Sequence, residues 1–466
     1  MLALLGYTMI IVFMILLLTK KISPFVGLIM ISLTFGIIVC LVQGVPILDA
    51  FKWIKEGLFY KVVGGKVKAG TAGTAVLLLF AILFFSIMLD VGLFEPMCIG
   101  LIKMAKGDPL RICLATAFIS MVVSLDGDGT TTVLIVTASV LTLFKKLKMN
   151  KLYLALLIAI PNSILNYVPW SGPMARAMPV LNLGAREFFL PVVPGILVAL
   201  VYATYMAWNL GMKERKRLNY HPSNLKANGG NAEVAATALA VNEHDINEII
   251  HELKESNKEL KRPKLFWFNL VLTIGVMTLL IMDVMDGGVV FLVATALALM
   301  VNYKDPGLQA KRLVANGEEA LGPVSLVFGA GVIMGVLNGS GMSAAIANHI
   351  VSIIPSSMGV YVPLFLALVS LPALIFLPND AFYFGILPVI APIAYSYGAT
   401  PVEVGVASLI GQATRFCSPL VAFLYVLVER TEVNFADYQK AFFKWALPLF
   451  FIHLFMAIIT GAIPIR

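Results

Sequence analysis

The chain has 466 residues, of which 59% are hydrophobic and only 13% are charged. Soluble domains carry about 25% charged residues, so this composition excludes a soluble protein and indicates an integral membrane protein. Apolar segments of about 20 residues recur from end to end, whereas an outer-membrane barrel would show shorter alternating segments. The net charge of +8 is explained by Lys and Arg in cytoplasmic loops and does not require a nucleic-acid partner.

The chain begins with two predicted spans, at 2–18 and about 24–42. The first has no small-residue cleavage site, so we expect a retained helix and not a signal peptide. Residues 44–70 are polar, lysine-dotted and glycine-rich with aromatic anchors, and we interpret them as an interfacial helix. A third span is predicted at about 74–94. Four cysteines lie singly in apolar surroundings and are expected to be free core residues: Cys40, Cys98, Cys113 and Cys417.

A polar stretch, Ser-Leu-Asp-Gly-Asp-Gly-Thr-Thr-Thr at 124–132, then interrupts an otherwise apolar segment. Asp126 and Asp128 therefore lie where hydrocarbon depth is expected, and each would cost about 2.5–3.5 kcal/mol there without compensation. Such backbone is tolerated at membrane depth only where it is buried in protein or lines a wet cavity. We interpret the stretch as the tip of a re-entrant element, with an ordinary extramembrane turn as the alternative.

Basic patches at 103–111 and 145–151 flank this interruption on both sides. The positive-inside rule places both patches in the cytoplasm, so the segment should enter and leave on one side. We therefore predict a re-entrant helical hairpin over about 109–144. The next span, about 152–180, is interrupted by a proline-containing stretch at 161–173, so it is predicted to be a broken helix.

Residues 211–264 are polar, with basic clusters at both ends, and are predicted to form a cytoplasmic linker. Its middle, 223–242, is expected to be flexible, and 243–260 is expected to form a charged surface helix. After the linker, an amphipathic connection at 303–320 and a span at 324–337 match the connection and third span of the first half.

The second half, residues 265–466, thus repeats the plan of residues 1–210. It contains a second hairpin, at about 360–396, whose flanks carry few positive charges, and a second broken helix, at about 401–429. Opposite loop charge in two similar halves is typical of the inverted repeats of secondary transporters. We expect an all-α fold of about ten spans, two hairpins and two broken helices, with both termini outside. No Gly-Lys-Ser/Thr phosphate loop is present, so ATP-driven transport is not expected.

If the four interruptions meet at mid-depth, polar side chains from both halves would share one cavity. Hard oxygen ligands of this kind suit protons, Na⁺ and Mg²⁺- or Ca²⁺-like cations. We predict metal or proton coupling by Asp126, Asp128 and Asp380. Substrate binding is predicted for Ser124, Thr130, Thr131, Asn162, Ser171, Gly172, Asn379, Gln412, Arg415 and Ser418. For the amides and Ser171 the alternative is that they satisfy backbone groups freed by the helix breaks.

Two arginines and an aromatic pair have less defined roles. Arg415 either clamps a substrate carboxylate or pairs with Asp380. Arg176 is interpreted as an interfacial side chain that extends toward water, and Phe382 and Tyr383 are interpreted as core residues. An intramembrane enzyme is not expected, since no nucleophile lies beside a plausible base; a channel is a further alternative.

The chain resembles the citrate–metal/proton symporter family of the ion-transporter superfamily over nearly its whole length, apart from the linker. Three blocks carry the resemblance: 124–132, Leu-Pro-Asn-Asp-Ala-Phe-Tyr at 377–383, and Gly-Gln at 411–412 followed by Ser-Pro-Leu-Val at 418–421. One departure is Arg415, where the family often has histidine. The resemblance implies an elevator-type homodimer of the bacterial inner membrane that imports citrate with a divalent or higher-valent metal, coupled to protons. It implies no permanently bound cofactor.

The charge balance of the predicted cavity agrees with that function. Three aspartates alone would repel a tricarboxylate, and unpaired charge is costly in a site of low dielectric constant. The substrate should therefore arrive with its charge masked by a metal, or protons should neutralise an aspartate. The alternative function is a sodium-coupled di- or tricarboxylate transporter of the same superfamily.

Overall fold

The computed structural model describes residues 1–63, 66–105, 107–220, 251, 255, 258–282, 284–353 and 355–464. The first half is helical except for one antiparallel hairpin of two strands, β1 (Tyr60–Val63) and β2 (Lys66–Ala69). Its helices are α1 (Leu2–Leu18), α2 (Pro24–Gln43), α3 (Leu48–Leu58), α4 (Ala72–Asp90), α5 (Glu95–Ala105), α6 (Pro109–Val123), α7 (Gly129–Lys146), α8 (Lys151–Leu165), α9 (Gly172–Leu181), α10 (Ala185–Phe189) and α11 (Val193–Arg217).

Among its described residues, the second half contains helices joined by turns and loops, and no strand. Its helices are α12 (Phe266–Met282), α13 (Gly287–Asn302), α14 (Pro306–Gly339), α15 (Met342–Val351), α16 (Ser356–Gly359), α17 (Val362–Phe376), α18 (Asn379–Ala381), α19 (Leu387–Ser396), α20 (Pro401–Leu409), α21 (Phe423–Thr431) and α22 (Phe435–Ile459). The predicted flexible middle of the linker and most of its predicted surface helix lie outside the described residues, as does Lys106 of the first basic patch.

Seven helical segments among the described residues are long and apolar enough to cross a membrane. Helices α1, α8, α13, α15 and α17 are also apolar but shorter. The prediction of a polytopic, almost entirely helical membrane protein is confirmed. The four cysteines are buried and free, as expected.

Helix boundaries follow local backbone chemistry. Helix α2 begins after Ser23, whose side chain accepts a hydrogen bond from the amide of Val26, and it has Pro24 in its first turn. It ends at Gly44, which adopts a left-handed conformation with φ of +70°. A serine cap, a first-turn proline and a left-handed terminal glycine are the residues that best satisfy unpaired helix ends.

Two predicted helix boundaries are wrong, and in both places the helix continues through a proline. Helix α8 continues through Pro161, and the chain leaves the helix only at 166–171. Helix α14 continues through Pro323, so the predicted amphipathic connection and the following span form one helix. In a packed membrane helix, neighbouring groups can satisfy the carbonyl that proline leaves free, and the helix then bends without breaking.

The prediction of one interfacial helix over 44–70 is also wrong in part. Helix α3 occupies only the first portion, and the β-hairpin follows it. Helix α3 packs directly against α14, where glycines let the two backbones touch. A Cβ at Gly335 would lie 2.3 Å from the carbonyl oxygen of Trp53, and a Cβ at Gly57 would lie 2.1 Å from the carbonyl oxygen of Gly331. Small residues of this kind allow close helix contact in membranes.

Replacing Gly335 by Leu should therefore separate α3 from α14. The added side chain would overlap the backbone of Trp53, which cannot move without displacing α3. We expect a loss of folded protein, measured as monodisperse protein after detergent extraction. Gly317→Leu, at a position of the same helix where an added Cβ meets nothing within 4 Å, is the control; equal yields for both variants would contradict the packing argument.

The helices form two packing groups. The first packing group is α4, α12, α13 and the middle of α14, joined by a core that includes Phe84 and Phe291. The second packing group contains α6–α9, α11, α17 and α19–α22 around a larger core, to which α1, α2, α5, α15 and the end of α14 also contribute. Helix α5 connects α4 of the first group with α6 of the second. Both interrupted segments belong to the second group.

Both ends of the α6–α7 pair lie at one end of the molecule. Asp108, which caps α6, forms an ion pair with Arg215 near the end of α11. Two residues further along α11, Arg217 donates a hydrogen bond to the carbonyl of Lys148, just after α7. At the same end of α7, two lysines (Lys145 and Lys151) lower the pKa of the Glu432 carboxyl to about 2 by hydrogen bonding to it. This arrangement supports the hairpin prediction.

Single-cysteine labelling tests whether the hairpin is re-entrant. Lys103 and Lys148 are exposed positions next to the two ends of the pair. Lys103→Cys and Lys148→Cys should both react with an impermeant thiol reagent only from the cytoplasmic side. Lys52 is exposed in α3, which follows two predicted spans from an outside amino terminus and should therefore lie outside. Lys52→Cys should react from the opposite side of the membrane. Labelling of the first two from opposite sides would contradict the hairpin.

Candidate substrate site at the helix interruptions

The first interruption is a tight turn between α6 and α7. Ser124–Asp126 form one 3₁₀ turn, and Gly127 follows with φ of +82°. A Cβ at Gly127 would lie 3.1 Å from Cδ1 of Trp170, so both conformation and space favour glycine. Asp128 then caps α7, and its Oδ2 accepts hydrogen bonds from the amide (2.6 Å) and Oγ1 (2.8 Å) of Thr131. We call residues 124–132 the first tip.

Asn162 of α8 holds the first tip in place. Its Nδ2 donates to Oγ of Ser124 at 3.1 Å and to Oγ1 of Thr132 at 3.1 Å, and lies 3.3 Å from the carbonyl of Asp128. Asn162, Ser124 and Thr132 are all buried. Because these side chains bond to one another, Ser124 and Asn162 hold the tip in position. The contact of Asn162 with the carbonyl of Asp128 agrees with the alternative that this amide satisfies a free backbone group. Thr132 belongs to the predicted polar stretch but was not among the predicted substrate-binding residues.

The break between α8 and α9 packs against the same tip. Trp170 donates from Nε1 to the carbonyl of Leu125 at 2.8 Å, and the buried Ser171 donates to the carbonyl of Asn166 at 2.7 Å. Ser171 thus satisfies a backbone group freed by the break. Gly172 begins α9, and its carbonyl accepts a hydrogen bond from Arg176.

The two aspartates of the first tip differ in exposure. Asp126 is 7% exposed, and its Oδ1 accepts a hydrogen bond from the amide of Asp128 at 2.9 Å. Asp128 and Thr130 are exposed. Within the described part of the chain, no basic side chain forms an ion pair with either aspartate. Glu319 of α14 lies close enough for its charge to act on both, so the first tip is a region of negative charge.

The second interruption follows α17. After α18, residues Phe382–Ile386 form a π-helical turn, a feature that often marks functional sites. Gln412 donates from Nε2 to Oδ1 of Asn379 at 3.2 Å and to the hydroxyl of Tyr383 at 3.0 Å. Phe382 and Tyr383 are buried, as predicted. We call residues 377–386 the second tip.

Arg176 of α9 forms an ion pair with Asp380 of the second tip. Its Nε lies 2.6 Å from Oδ1 of Asp380, and both side chains are 17% exposed. The interpretation of Arg176 as an interfacial side chain is therefore wrong, and Arg415 is not the ion-pair partner of Asp380. The sequence did contain a signal for this pairing: Arg176 is the sole basic residue of the predicted broken helix at 152–180.

Arg415 instead holds the end of α17. Its Nη1 donates to the carbonyls of Leu374 at 2.5 Å and Leu377 at 2.7 Å. A cation beside free terminal carbonyls is favourable because these carry partial negative charge. The residue is 5% exposed, and its Nε has no hydrogen-bond partner among the described residues. Oε1 of the neighbouring Gln412 is likewise buried and unpartnered.

The interruptions of the two halves contact each other. A Cβ at Gly129 of the first tip would lie 2.5 Å from the ring of Phe423, at the start of α21. Ser418, in the break before α21, is buried, and its Oγ accepts a hydrogen bond from the amide of Leu420. Together with the Arg176–Asp380 pair, these contacts tie each tip to the broken helix of the other half.

A groove borders the second tip, and a larger cavity lies further away. A groove of about 410 Å³ reaches Asp380 and Pro378 from the turn between α1 and α2, where it is lined by Lys20, Lys21 and Ser23. A larger cavity of about 920 Å³ lies away from both tips, between α3, α4 and α14 on one side and the 178–187 segment on the other. Among the described residues, no group of three or more His, Cys, Asp or Glu side chains is placed to hold a metal ion.

Comparison with known proteins identifies the family. The citrate transporter family model (CitMHS) matches residues 13–411. The chain is 40% identical over 466 residues to the "Citrate transporter" of Bacillus subtilis (strain 168), covering 99% of this chain and 100% of the relative. It is 36% identical over 468 residues to the "Mg(2+)/citrate complex secondary transporter" of the same strain, covering 100% of both.

The crystal structure of the YdaH transporter of Alcanivorax borkumensis is a more distant likeness. It has a TM-score of 0.48 and 13% identity, and the match covers 92% of this chain and 98% of that one. Likeness at this level does not by itself establish a shared fold. The match to the family model and the sequence identity over the full length of the relatives show that the chain belongs to the citrate transporter family and is a multi-pass membrane transporter, not an enzyme.

Proposed function

We propose that this protein imports citrate as a complex with a divalent metal cation and couples the import to protons. Membership of the citrate transporter family supports the substrate, and one relative is named for a Mg²⁺–citrate complex. The observation that carries the proposal is the asymmetry of charge between the two tips. Among the described residues, the carboxylates of the first tip have no basic ion-pair partner, whereas the carboxylate of the second tip is paired with an arginine.

That asymmetry suits a substrate with a positive and a negative face. Free citrate carries about three negative charges at neutral pH and would be repelled by Asp126, Asp128 and the nearby Glu319. A chelated divalent metal lowers the net charge and presents a cationic face to those carboxylates. The remaining carboxylates of citrate would then face Arg176 and Arg415, which contact the second tip. In this arrangement the metal is part of the substrate, and Asp126 and Asp128 contact the metal side of the complex.

The coupled proton would be taken up by Asp380 of the Arg176–Asp380 pair. A substrate carboxylate that binds Arg176 competes with Asp380 for the guanidinium. Asp380 then loses its cationic partner in a partly buried place, where its charged form is disfavoured, and it takes up a proton. Other charged groups near it among the described residues are Arg415 and, across the groove, Lys20 and Lys21. Substrate binding and proton uptake become one coupled event.

We further propose that residues 1–210 and 265–466 are inverted repeats of an elevator-type homodimer. The α6–α7 pair, the α17–α19 pair and most of the two predicted broken helices contribute to the core of the second packing group, and these elements would move as a unit. Val168, Trp170 and Ala175 of the first broken helix pack in the other core and would form part of the boundary. The 920 Å³ cavity separates elements of the first group from the 178–187 segment and would accommodate part of that motion. The groove at Lys20 and Lys21 would be the route between Asp380 and the cytoplasm, because the positive-inside rule places that turn there.

Calorimetric titration of the purified protein tests the substrate assignment. Citrate with Mg²⁺ should bind, and citrate with EDTA should bind at least about tenfold more weakly, a difference of about 1.4 kcal/mol. Tricarballylate, which lacks the hydroxyl group of citrate and chelates metals less well, is the matched ligand. Equal affinity for citrate with and without metal would contradict the proposal and favour the sodium-coupled carboxylate transporters.

A further inference from the structure

A groove lies on the surface of the second packing group, between α5, α6 and α11. Its volume is about 580 Å³. Most of its lining is aliphatic or aromatic, including Leu101, Met104, Phe118 and Met121. Met104 and Phe118 are exposed at 69% and 49%. In a membrane-spanning protein, such a surface faces acyl chains, and its concave shape would hold one chain more tightly than a flat surface would.

One end of this groove is basic. Arg111, in the first turn of α6, is the charged residue of its lining. Met121 lies ten residues further along α6, about 15 Å away at the rise of an α-helix. The small side chains of Ala115 and Ala117 lie between them and leave room. The groove therefore has the length of a large part of an acyl chain and a cation at one end.

The guanidinium of Arg111 has donors to spare. Its side chain is 58% exposed, and its contact with Asp108 is long, at 3.5 Å. Arg215 already holds the same carboxylate, with its Nε 2.8 Å from Oδ1 of Asp108. Arginine matches the oxygens of a phosphate geometrically, and basic pockets between helices on the cytoplasmic side suit anionic lipid headgroups.

We propose that this groove binds an anionic phospholipid, with one acyl chain between α5 and α6 and the phosphate on Arg111. The site would be placed to affect movement, because α5 links the first packing group to the second. The lipid proposal does not depend on which substrate is carried.

Native mass spectrometry of the full-length protein in detergent tests the site. Wild-type protein should retain phosphatidylglycerol in preference to phosphatidylcholine. Arg111→Gln should reduce that preference about fivefold, corresponding to about 1 kcal/mol for one basic side chain at an anionic surface. Arg111→Lys should keep most of it. Lys440→Gln, which removes an exposed cation of α22 outside the groove, should leave it unchanged.

A second variant tests the acyl-chain part and does not rely on Arg111. Thr204 is exposed on α11 at the edge of the groove, so Thr204→Trp should fill it without disturbing the core. This variant should retain less of both lipids. The proposal is contradicted if wild-type protein shows no headgroup preference, if Arg111→Gln keeps the full preference, or if Thr204→Trp retains lipid as wild-type protein does.

Discussion

Asp128→Asn is expected to lower citrate uptake about 100-fold, equivalent to about 2.7 kcal/mol, without loss of folded protein. Asparagine is as good a helix cap as aspartate, so the hydrogen bonds to Thr131 can be kept while the charge is lost. The carboxylate is exposed at the first tip and has no basic partner among the described residues, so its charge is available to the metal side of the substrate. Initial rates of labelled citrate uptake into proteoliposomes with Mg²⁺ measure the effect.

Two further variants separate charge from capping. Asp128→Ala removes both, and it should also cost about 1 kcal/mol of stability, visible in thermal unfolding. Asp305→Asn changes an equivalent aspartate cap at the start of α14, where the side chain accepts from the amides of Gly307 and Leu308. It should transport like wild-type protein. Wild-type uptake by Asp128→Asn would refute the role of this charge.

Asp380→Asn is expected to abolish the proton uptake that accompanies substrate binding. In wild-type protein, binding of Mg²⁺–citrate should take a proton from solution as Arg176 turns from Asp380 to the substrate. Asparagine cannot take up that proton, so substrate binding should persist. The dependence of the binding enthalpy on the buffer, and of the affinity on the protonation of residue 380, should disappear. Calorimetry in buffers of different ionisation enthalpy measures the proton directly. Uptake by this variant should no longer respond to a proton gradient.

Arg176→Gln separates the two members of the pair. It should abolish substrate binding, since the guanidinium is proposed to bind the substrate and Asp380 would remain without a cation. The double variant Arg176→Gln/Asp380→Asn should be more stable than Arg176→Gln, because it has no unpaired carboxylate at this position, but it should not bind substrate. Asp437→Asn, at an exposed carboxylate of α22, is the control. Unchanged proton uptake by Asp380→Asn would remove Asp380 from the coupling mechanism.

The elements around the tips could be predicted because the bilayer penalises polar residues strongly. Two aspartates and two glycines within an apolar stretch have few structural solutions, so the position of the first tip followed from the sequence. The proline-containing stretch at 161–173 showed where the first broken helix lies, but not the residues at which its two helical parts end and begin. Whether a proline ends a helix depends on which neighbour satisfies the free carbonyl, and a single sequence does not contain that contact.

The pairing of charges could not be predicted for a similar reason. Arg176 and Asp380 are 204 residues apart in the chain, and their contact depends on how the two halves pack. Arg415 binds backbone carbonyls at the end of α17, which are present in every residue and leave no mark in the sequence. Glu319 was missed because α14 was predicted as two elements, a connection at 303–320 and a span at 324–337, which assigned this carboxylate to a surface connection.

Uptake of labelled citrate into proteoliposomes, under separate control of metal and gradients, tests the central proposal most directly. With Mg²⁺ outside and an inward proton gradient, citrate should accumulate above its external concentration, and a protonophore should abolish the accumulation. Replacing Na⁺ with K⁺ should leave it unchanged, and excess EDTA should stop it. Accumulation that continues in EDTA when Na⁺ is present would contradict the account and make this protein a sodium-coupled carboxylate transporter.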